Sequence, residues 1–156
     1  MNQMRRRTLR AGGGAGLLAL LAAAGIVSPG ELLASNRNKT AFDVKTVQDG
    51  LKALGASAPA TSADILIRAA DIAENGAVVP VGVESKIPGT ESIAIFVDKN
   101  PSPLAASFDI PTGTEPSVTT RVKMGQTSDV YALVKANGKY YMTKKEIKVT
   151  IGGCGG

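Results

Sequence analysis

The residue best suited to covalent chemistry in this chain is Cys154, the only cysteine, within the sequence Gly152-Gly153-Cys154-Gly155-Gly156. A cysteine thiolate is a strong nucleophile toward sulfur compounds. Glycine loses more conformational freedom on folding than any other residue, and it adds nothing to an apolar core. The pattern therefore predicts a flexible arm, residues 152–156, that presents one reactive sulfur.

Several other roles for Cys154 compete with this prediction. A glycine-rich terminus can be an idle disordered end, and an unpaired cysteine in an exported protein can form an intermolecular disulfide. Thiolate metal sites need several Cys or His ligands, and the chain has no histidine and no second cysteine. A buried structural role needs apolar neighbours, whereas the neighbours here are glycines. We predict no metal site and no cofactor.

The surroundings of the thiol favour a carrier over an enzyme. Catalytic cysteines usually have a pKa lowered by a neighbouring histidine, cation or helix N-terminus, and the sequence supplies none of these beside Cys154. The carboxylates of Glu74, Asp98 and Asp109 are scattered and form no pair for general acid-base catalysis. The chain is therefore predicted to be the substrate of partner enzymes and not an enzyme itself.

The N-terminal sequence predicts export. Met4-Arg5-Arg6-Arg7-Thr8-Leu9-Arg10 precedes an uncharged run, residues 11–30, whose apolar centre is too short to span a membrane comfortably. The paired arginines favour a twin-arginine (Tat) signal over an ordinary Sec signal. Cleavage is predicted after Ala34, with Ala24 as the alternative. Residues 1–34 then form the signal peptide, and the mature protein is periplasmic without a membrane anchor.

Removal of the signal lowers the formal net charge from +5 to +2, because four arginines and one glutamate, Glu31, belong to the discarded segment. No basic cluster with interleaved aromatic residues remains, so no nucleic-acid binding is predicted. The densest basic sequence, Lys144, Lys145 and Lys148, is interpreted as a solvated strand edge. The remaining chain of about 122 residues has the length of one domain, which we place at residues 35–151.

Hydrophobic periodicity predicts one short helix followed by about seven strands. The helix lies between Thr40 and Leu54, with Thr40 and Asp43 as a capping box. Its stop signal is Gly55. Pro80 indicates a sheet edge or a bulge. The predicted strands cover residues 65–70, 77–85, 93–97, 118–124, 129–135, 139–143 and 146–151.

Turn signals join these strands in pairs. Asn75-Gly76 and Asn137-Gly138 are each expected to form a tight hairpin turn, and the continuous apolar run 93–97 is expected to be buried on both faces. The fold class is therefore mainly β. We predict an immunoglobulin-like antiparallel β-sandwich with a short N-terminal helix, and a barrel is the structural alternative.

Four features together resemble the SoxY family, the sulfur-carrier subunits of the periplasmic thiosulfate-oxidation (Sox) system. They are the terminal GGCGG at residues 152–156, the segment AENGAVVPV at residues 73–81, the sequence Asn100-Pro101-Ser102-Pro103 followed by Phe108, and the Tat-like leader. The resemblance runs through essentially the whole chain, and the terminal sequence shows no departure from the family pattern.

The resemblance implies that Cys154 holds sulfur intermediates covalently while Gly152, Gly153, Gly155 and Gly156 form the arm. It implies a heterodimer with a SoxZ-like subunit that lacks its own export signal, for which an apolar sheet face is the expected contact. Transient partners would be SoxXA-like, SoxB-like and, where present, SoxCD-like enzymes. These are the haem protein that couples thiosulfate to the cysteine, the hydrolase that releases sulfate and the sulfane dehydrogenase. The alternative is a non-catalytic periplasmic binding module of immunoglobulin type.

Overall fold

The computed structural model describes residues 39–150, so the predicted signal peptide, 1–34, and the predicted arm, 152–156, lie outside the described residues. Within these residues, two short helices precede nine strands. The helices are α1, Lys39–Asp43, and α2, Val47–Ala53. The strands are β1, Ala60–Thr61; β2, Ile65–Arg68; β3, Ile72–Ala73; β4, Val79–Ser85; β5, Thr90–Val97; β6, Leu104–Asp109; β7, Ser117–Val122; β8, Ser128–Ala136; and β9, Lys139–Val149.

The helical region differs from the single predicted helix. Thr46 is extended, with φ −129° and ψ 152°, and its hydroxyl accepts a hydrogen bond from the backbone N–H of Asp49 at 3.1 Å. Thr46 is therefore the N-cap of α2, and the predicted capping box at Thr40 and Asp43 was wrong. The chain turns at Gly55, φ +79°, immediately after α2, as the predicted stop signal required.

The larger sheet has the order β1-β9-β8-β5-β6, and β3 pairs with the far end of β9. Strands β5, β6, β8 and β9 pair antiparallel. Asn137 and Gly138 connect β8 to β9 with φ values of 50° and 72°, as a tight primed turn requires, which confirms that predicted hairpin. The two-residue strands β1 and β3 run parallel to β9, so the prediction of a wholly antiparallel fold was wrong at these two places.

The smaller sheet has the order β2-β4-β7, and all its pairings are antiparallel. The two predicted strands on either side of Asn75-Gly76 do pair, but residues 69–78 separate them and Asn75-Gly76 is not their turn. Neither residue has a positive φ. The reason is that this loop contains β3, which pairs with β9 of the larger sheet. Pro80 lies in β4, the middle strand of this sheet. The pairing of β4 with β2 ends at Gly82, so Pro80 has a partner strand, β7, on one side only.

The two sheets pack face to face around an apolar core that contains Val81 and Val83 from the smaller sheet and Ile93 and Ile95 from the larger sheet. The other face of the larger sheet carries the helices, where Leu51 packs with Ala94 and Phe96. Residues 93–97 are all buried, which confirms the prediction of a strand covered on both faces.

The mainly β prediction is confirmed, whereas the immunoglobulin-like character of the sandwich stays a prediction. Within residues 39–150, no helix has the length and apolar composition to cross a membrane.

Candidate functional site: the root of the C-terminal segment

The last described residue, Thr150, follows the end of β9 and precedes Cys154 by four residues. The predicted site residues Gly152, Gly153, Cys154, Gly155 and Gly156 all lie outside the described residues. What the structure places is the end of β9, the described part of the chain that immediately precedes them. We call this region the tail root; it comprises the end of β9, residues 147–150, and the two loops that hold it, residues 69–78 and 123–127.

Backbone hydrogen bonds fix the end of β9 from two directions. On one side, Lys148 N–H donates to the carbonyl of Asp71 at 2.9 Å, and Thr150 N–H donates to the carbonyl of Ala73 at 3.2 Å. On the other side, Val149 N–H donates to the hydroxyl of Thr127 at 3.0 Å. The strand is therefore held up to Thr150, and this residue is the anchor from which the remaining chain extends.

Gly76 fills a position where the backbone of the 69–78 loop lies directly against the tail root. Its carbonyl accepts a hydrogen bond from Met124 N–H at 2.7 Å. A Cβ atom at Gly76 would lie 2.3 Å from the carbonyl oxygen of Met124 and 2.8 Å from Cγ1 of Val149. Such close approach excludes any side chain. The neighbouring Asn75 shapes the loop, because its side-chain oxygen accepts a hydrogen bond from Ala77 N–H at 2.9 Å.

The proline-containing segment 100–103, which follows β5, contacts the 123–127 loop of the tail root. Asn100 donates a side-chain hydrogen bond to the carbonyl of Lys123 at 2.7 Å, and Lys99 N–H donates to the hydroxyl of Ser128 at 3.0 Å. Pro103 is buried, and its carbonyl accepts a hydrogen bond from Val97 N–H at 2.8 Å. The two inner segments singled out in the sequence, 73–81 and 100–103, therefore meet at the 123–127 loop that supports the end of β9.

Ion pairs account for two of the three lysines in the basic sequence near the tail root. Lys145 lies 2.9 Å from Asp71 and Lys144 lies 2.7 Å from Asp129. The hydrogen bond from Lys145, together with its charge, holds the pKa of Asp71 below its ordinary value of 3.8, and the charge of Lys148 adds to this effect. Lys144 and Lys145 are therefore each paired with a carboxylate, and as successive residues of β9 they point to opposite faces of the sheet.

The exposed large apolar side chains among residues 39–150 are Ile72, 55% exposed, and Val78, 49% exposed. Both belong to the 69–78 loop of the tail root, and we call them the root patch. The apolar sheet face that we expected for a partner subunit is not found among the described residues. The reason is that the apolar side of each sheet is already covered, by the other sheet or by the helices.

The described residues supply no second chemical centre. Within 39–150, no group of three or more His, Cys, Asp or Glu side chains is arranged to hold a metal ion. Glu74, Asp98 and Asp109 are exposed and lie in different elements. The sequence-based prediction missed Ala73, Gly76 and Thr127 as supports of the tail root. The sequence around Gly76 carried no distinguishing signal, because a glycine is typical of a close backbone approach as well as of a turn.

Comparison with known proteins identifies one family. A family profile described as "Sulfur oxidation protein SoxY" matches residues 51–154, so the matched region ends at Cys154. A solved structure of the sulfur carrier protein SoxY from Chlorobium limicola f thiosulfatophilum is 43% identical, with a TM-score of 0.62, over 68% of this chain and 97% of its own. No curated protein matches the chain.

A second solved chain belongs to a structure on T cell specificity and activation by the bacterial superantigen toxic shock syndrome toxin-1. It is 10% identical, with a TM-score of 0.40, over 55% of this chain and 99% of its own. A likeness of this size carries no argument about fold or function.

Proposed function

The chain belongs to the SoxY family of sulfur oxidation proteins, and from this premise we propose that it carries sulfur intermediates covalently on Cys154 and presents them to partner enzymes. The observation that carries the proposal is the match to the family up to Cys154, combined with a strand that is held firmly up to Thr150. A carrier needs a firm anchor and a slim arm that ends in a nucleophile, and the sequence after Thr150 provides the arm.

The length of the arm suits delivery into a partner's pocket. Four residues separate Thr150 from Cys154, and a fully extended chain spans at most about 3.3 to 3.6 Å per residue, so the thiol reaches roughly 14 Å beyond the anchor. The residues on either side of Cys154 are glycines, which have no side chains to widen the arm. A narrow channel in an enzyme can therefore admit the thiol without a side-chain clash.

The proposed chemistry assigns the electron transfer to partners. Joining the Cys154 thiol to thiosulfate forms one sulfur–sulfur bond and releases one proton and two electrons, which the haem-containing SoxXA-like enzyme accepts. A SoxB-like hydrolase then uses water to release sulfate and leaves a persulfide on the cysteine. We propose that this chain acts as the substrate of these enzymes.

The family and the Tat-like signal also support a proposal about export and subunit composition. We propose that the Tat-like signal, residues 1–34, exports the protein to the periplasm together with a SoxZ-like subunit that is already bound. Tat-type export accepts folded cargo, which suits a subunit without its own signal. The resulting heterodimer would present the arm to SoxXA-like, SoxB-like and, where present, SoxCD-like enzymes.

Intact-mass spectrometry tests the attachment site. The mature heterodimer is incubated with thiosulfate and the SoxXA-like enzyme, and the mass of this chain is measured before and after treatment with a thiol reductant. We expect a reducible adduct of one thiosulfate group on the wild-type chain and none on Cys154→Ala. An adduct on Cys154→Ala contradicts the assignment. If removal of residues 152–156 leaves the protein's function intact, the result contradicts the carrier proposal and favours the alternative, a non-catalytic binding module of immunoglobulin type.

A further inference from the structure

We propose that the root patch, Ile72 and Val78, is the docking surface for the enzyme domains that receive Cys154. The proposal rests on the carrier function proposed above and adds the surface that brings a receiving enzyme to the arm. It follows from where the exposed apolar side chains lie relative to Thr150 and from the short chain between Thr150 and Cys154.

The patch lies close to the anchor of the arm. Ile72 is the lateral neighbour of Lys148 in the parallel pairing of β3 with β9. Adjacent strands are about 4.8 Å apart and two residues along a strand add roughly 6.6 Å, so the Cα atoms of Ile72 and Thr150 are about 8 Å apart. Val78 is two residues beyond Gly76, whose backbone lies against Val149, and its N–H donates to the carbonyl of Asn75 at 3.3 Å.

The short chain between Thr150 and Cys154 requires a receiving enzyme to bind close to the tail root. Its pocket must lie within roughly 14 Å of Thr150, because the extended chain to Cys154 is no longer than that. A standard protein interface buries about 800 Å² on each partner, which corresponds to a disc of roughly 16 Å radius. An enzyme that is centred on the arm therefore covers positions about 8 Å from Thr150, which include Ile72.

The arrangement of apolar and charged side chains at the tail root matches that of a transient interface. Such interfaces have an apolar centre and a polar rim from which charges can steer association. Ile72 and Val78 supply apolar side chains that are about half exposed. Around them are the Asp71–Lys145 ion pair and the exposed side chains of Glu74 and Lys148. The partner that fits is an enzyme surface with an apolar contact next to a narrow pocket entrance.

The patch suits an enzyme better than a permanent subunit. Obligate interfaces bury about 2,000 Å² or more and are strongly apolar, whereas transient encounters are often below about 1,200 Å². Two half-exposed aliphatic side chains provide the smaller kind of contact. A subunit fixed over Ile72 and Val78 would also cover the origin of the arm, which has to remain accessible to several enzymes in turn.

Steady-state kinetics with the carrier as the varied substrate test the proposal. The mature heterodimer carrying Ile72→Ser, Val78→Ser or both is assayed with the SoxXA-like enzyme at saturating thiosulfate. Losing the burial of one half-exposed aliphatic side chain corresponds to roughly a 5- to 10-fold rise in KM for the carrier. We expect that rise for each single variant, a larger one for the double variant, and an unchanged kcat.

Two controls separate docking from folding and from the carrier function itself. Ile87→Ser removes an aliphatic side chain from the turn between β4 and β5, which contacts the β8–β9 hairpin at the opposite end of β9 from the tail root, and is expected to leave KM unchanged. The reaction of Cys154 with a small disulfide reagent is expected to be equal in all variants, because it needs no docking. A wild-type KM in the double variant overturns the docking proposal while leaving the adduct on Cys154 intact. Loss of the SoxZ-like subunit from Ile72→Ser or Val78→Ser in a pull-down also overturns it and assigns the patch to that subunit.

Discussion

Replacing Gly76 with alanine tests whether close packing beneath β9 fixes the tail root. The new Cβ would lie 2.3 Å from the carbonyl oxygen of Met124 and 2.8 Å from Cγ1 of Val149, whereas ordinary contacts are 3.4–4 Å. The closer of these atoms belongs to the backbone, and Met124 N–H is itself hydrogen-bonded to Gly76. Neither segment can therefore give way without disturbing the other.

The expected cost is that of overpacking, about 1–3 kcal/mol. A domain of this size loses roughly 4 °C of melting temperature per kcal/mol, so Gly76→Ala should melt about 4–12 °C below the wild type. Thermal and urea unfolding followed by circular dichroism measure this loss. Amide exchange of Val149 and Thr150 is expected to accelerate, because the displaced loop no longer holds the end of β9.

Gly125→Ala is the matched control, one residue beyond Met124. A Cβ at Gly125 would meet no atom within 4 Å, and its φ is not in the left-handed region. This variant should be as stable as the wild type or more stable by about 0.4–1 kcal/mol, since alanine restricts the unfolded chain. Equal melting temperatures for Gly76→Ala and Gly125→Ala would refute the packing argument.

Three further predictions concern the helices, an ion pair and the arm. Leu51→Ala should lower the free energy of unfolding by about 2–5 kcal/mol in urea titrations, because this side chain is 1% exposed between α2 and the larger sheet; a loss below about 1 kcal/mol would contradict that packing. The hydrogen bond and charge of Arg68 lower the pKa of Glu84 below its ordinary value of 4.5, so their stabilisation is complete above pH 4.5 and is lost as the pH falls through the lower folded value. Glu84→Gln should therefore lower the unfolding midpoint slightly at pH 7 and leave it unchanged in strong acid, and a difference that is the same at both pH values speaks against the pair. Inserting one glycine after Gly152 lengthens the tether from four residues to five and should slow sulfur transfer by about 1.4-fold without changing stability, whereas a tenfold loss would show that the arm does not behave as a flexible tether.

The sequence was sufficient to predict the elements whose signals are local. The buried strand at 93–97 follows from its continuous apolar run, and the β8–β9 hairpin follows from Asn137-Gly138, which adopts the positive φ values that this dipeptide favours. The alternation of residues 118–124 also holds, since Val122 and Met124 are buried while Arg121 and Lys123 are exposed.

The errors arose where long-range contacts override local patterns. Asn75-Gly76 has the composition of a hairpin turn, yet the 69–78 loop pairs with β9, more than 70 residues further along the chain, and Gly76 serves a close approach instead of a turn. Nothing local distinguishes these two uses of glycine. Similarly, Thr40 and Thr46 are both followed three residues later by an aspartate, and only Thr46 caps a helix.

The candidate site likewise has one part that the sequence indicates and one part that only the fold reveals. The proposed role of Cys154 as the attachment residue could be inferred from its glycine neighbours and from the family resemblance, because neither depends on folding. The tail root could not, since Asp71, Ala73 and Thr127 reach the end of β9 through hydrogen bonds that only the folded chain brings together.

The rate of thiosulfate oxidation by a reconstituted system tests the central claim most directly. The mature heterodimer, as wild type, Cys154→Ser or Cys154→Ala, is combined with the partner enzymes, and oxidation is followed by electron transfer to an acceptor. Both variants should keep the wild-type melting temperature, since Cys154 is four residues past Thr150, whose N–H makes the last hydrogen bond that holds the end of β9 among the described residues. The account predicts that both variants abolish oxidation, because no other thiol is present in the chain. Oxidation by the Cys154→Ala protein at the wild-type rate would contradict it.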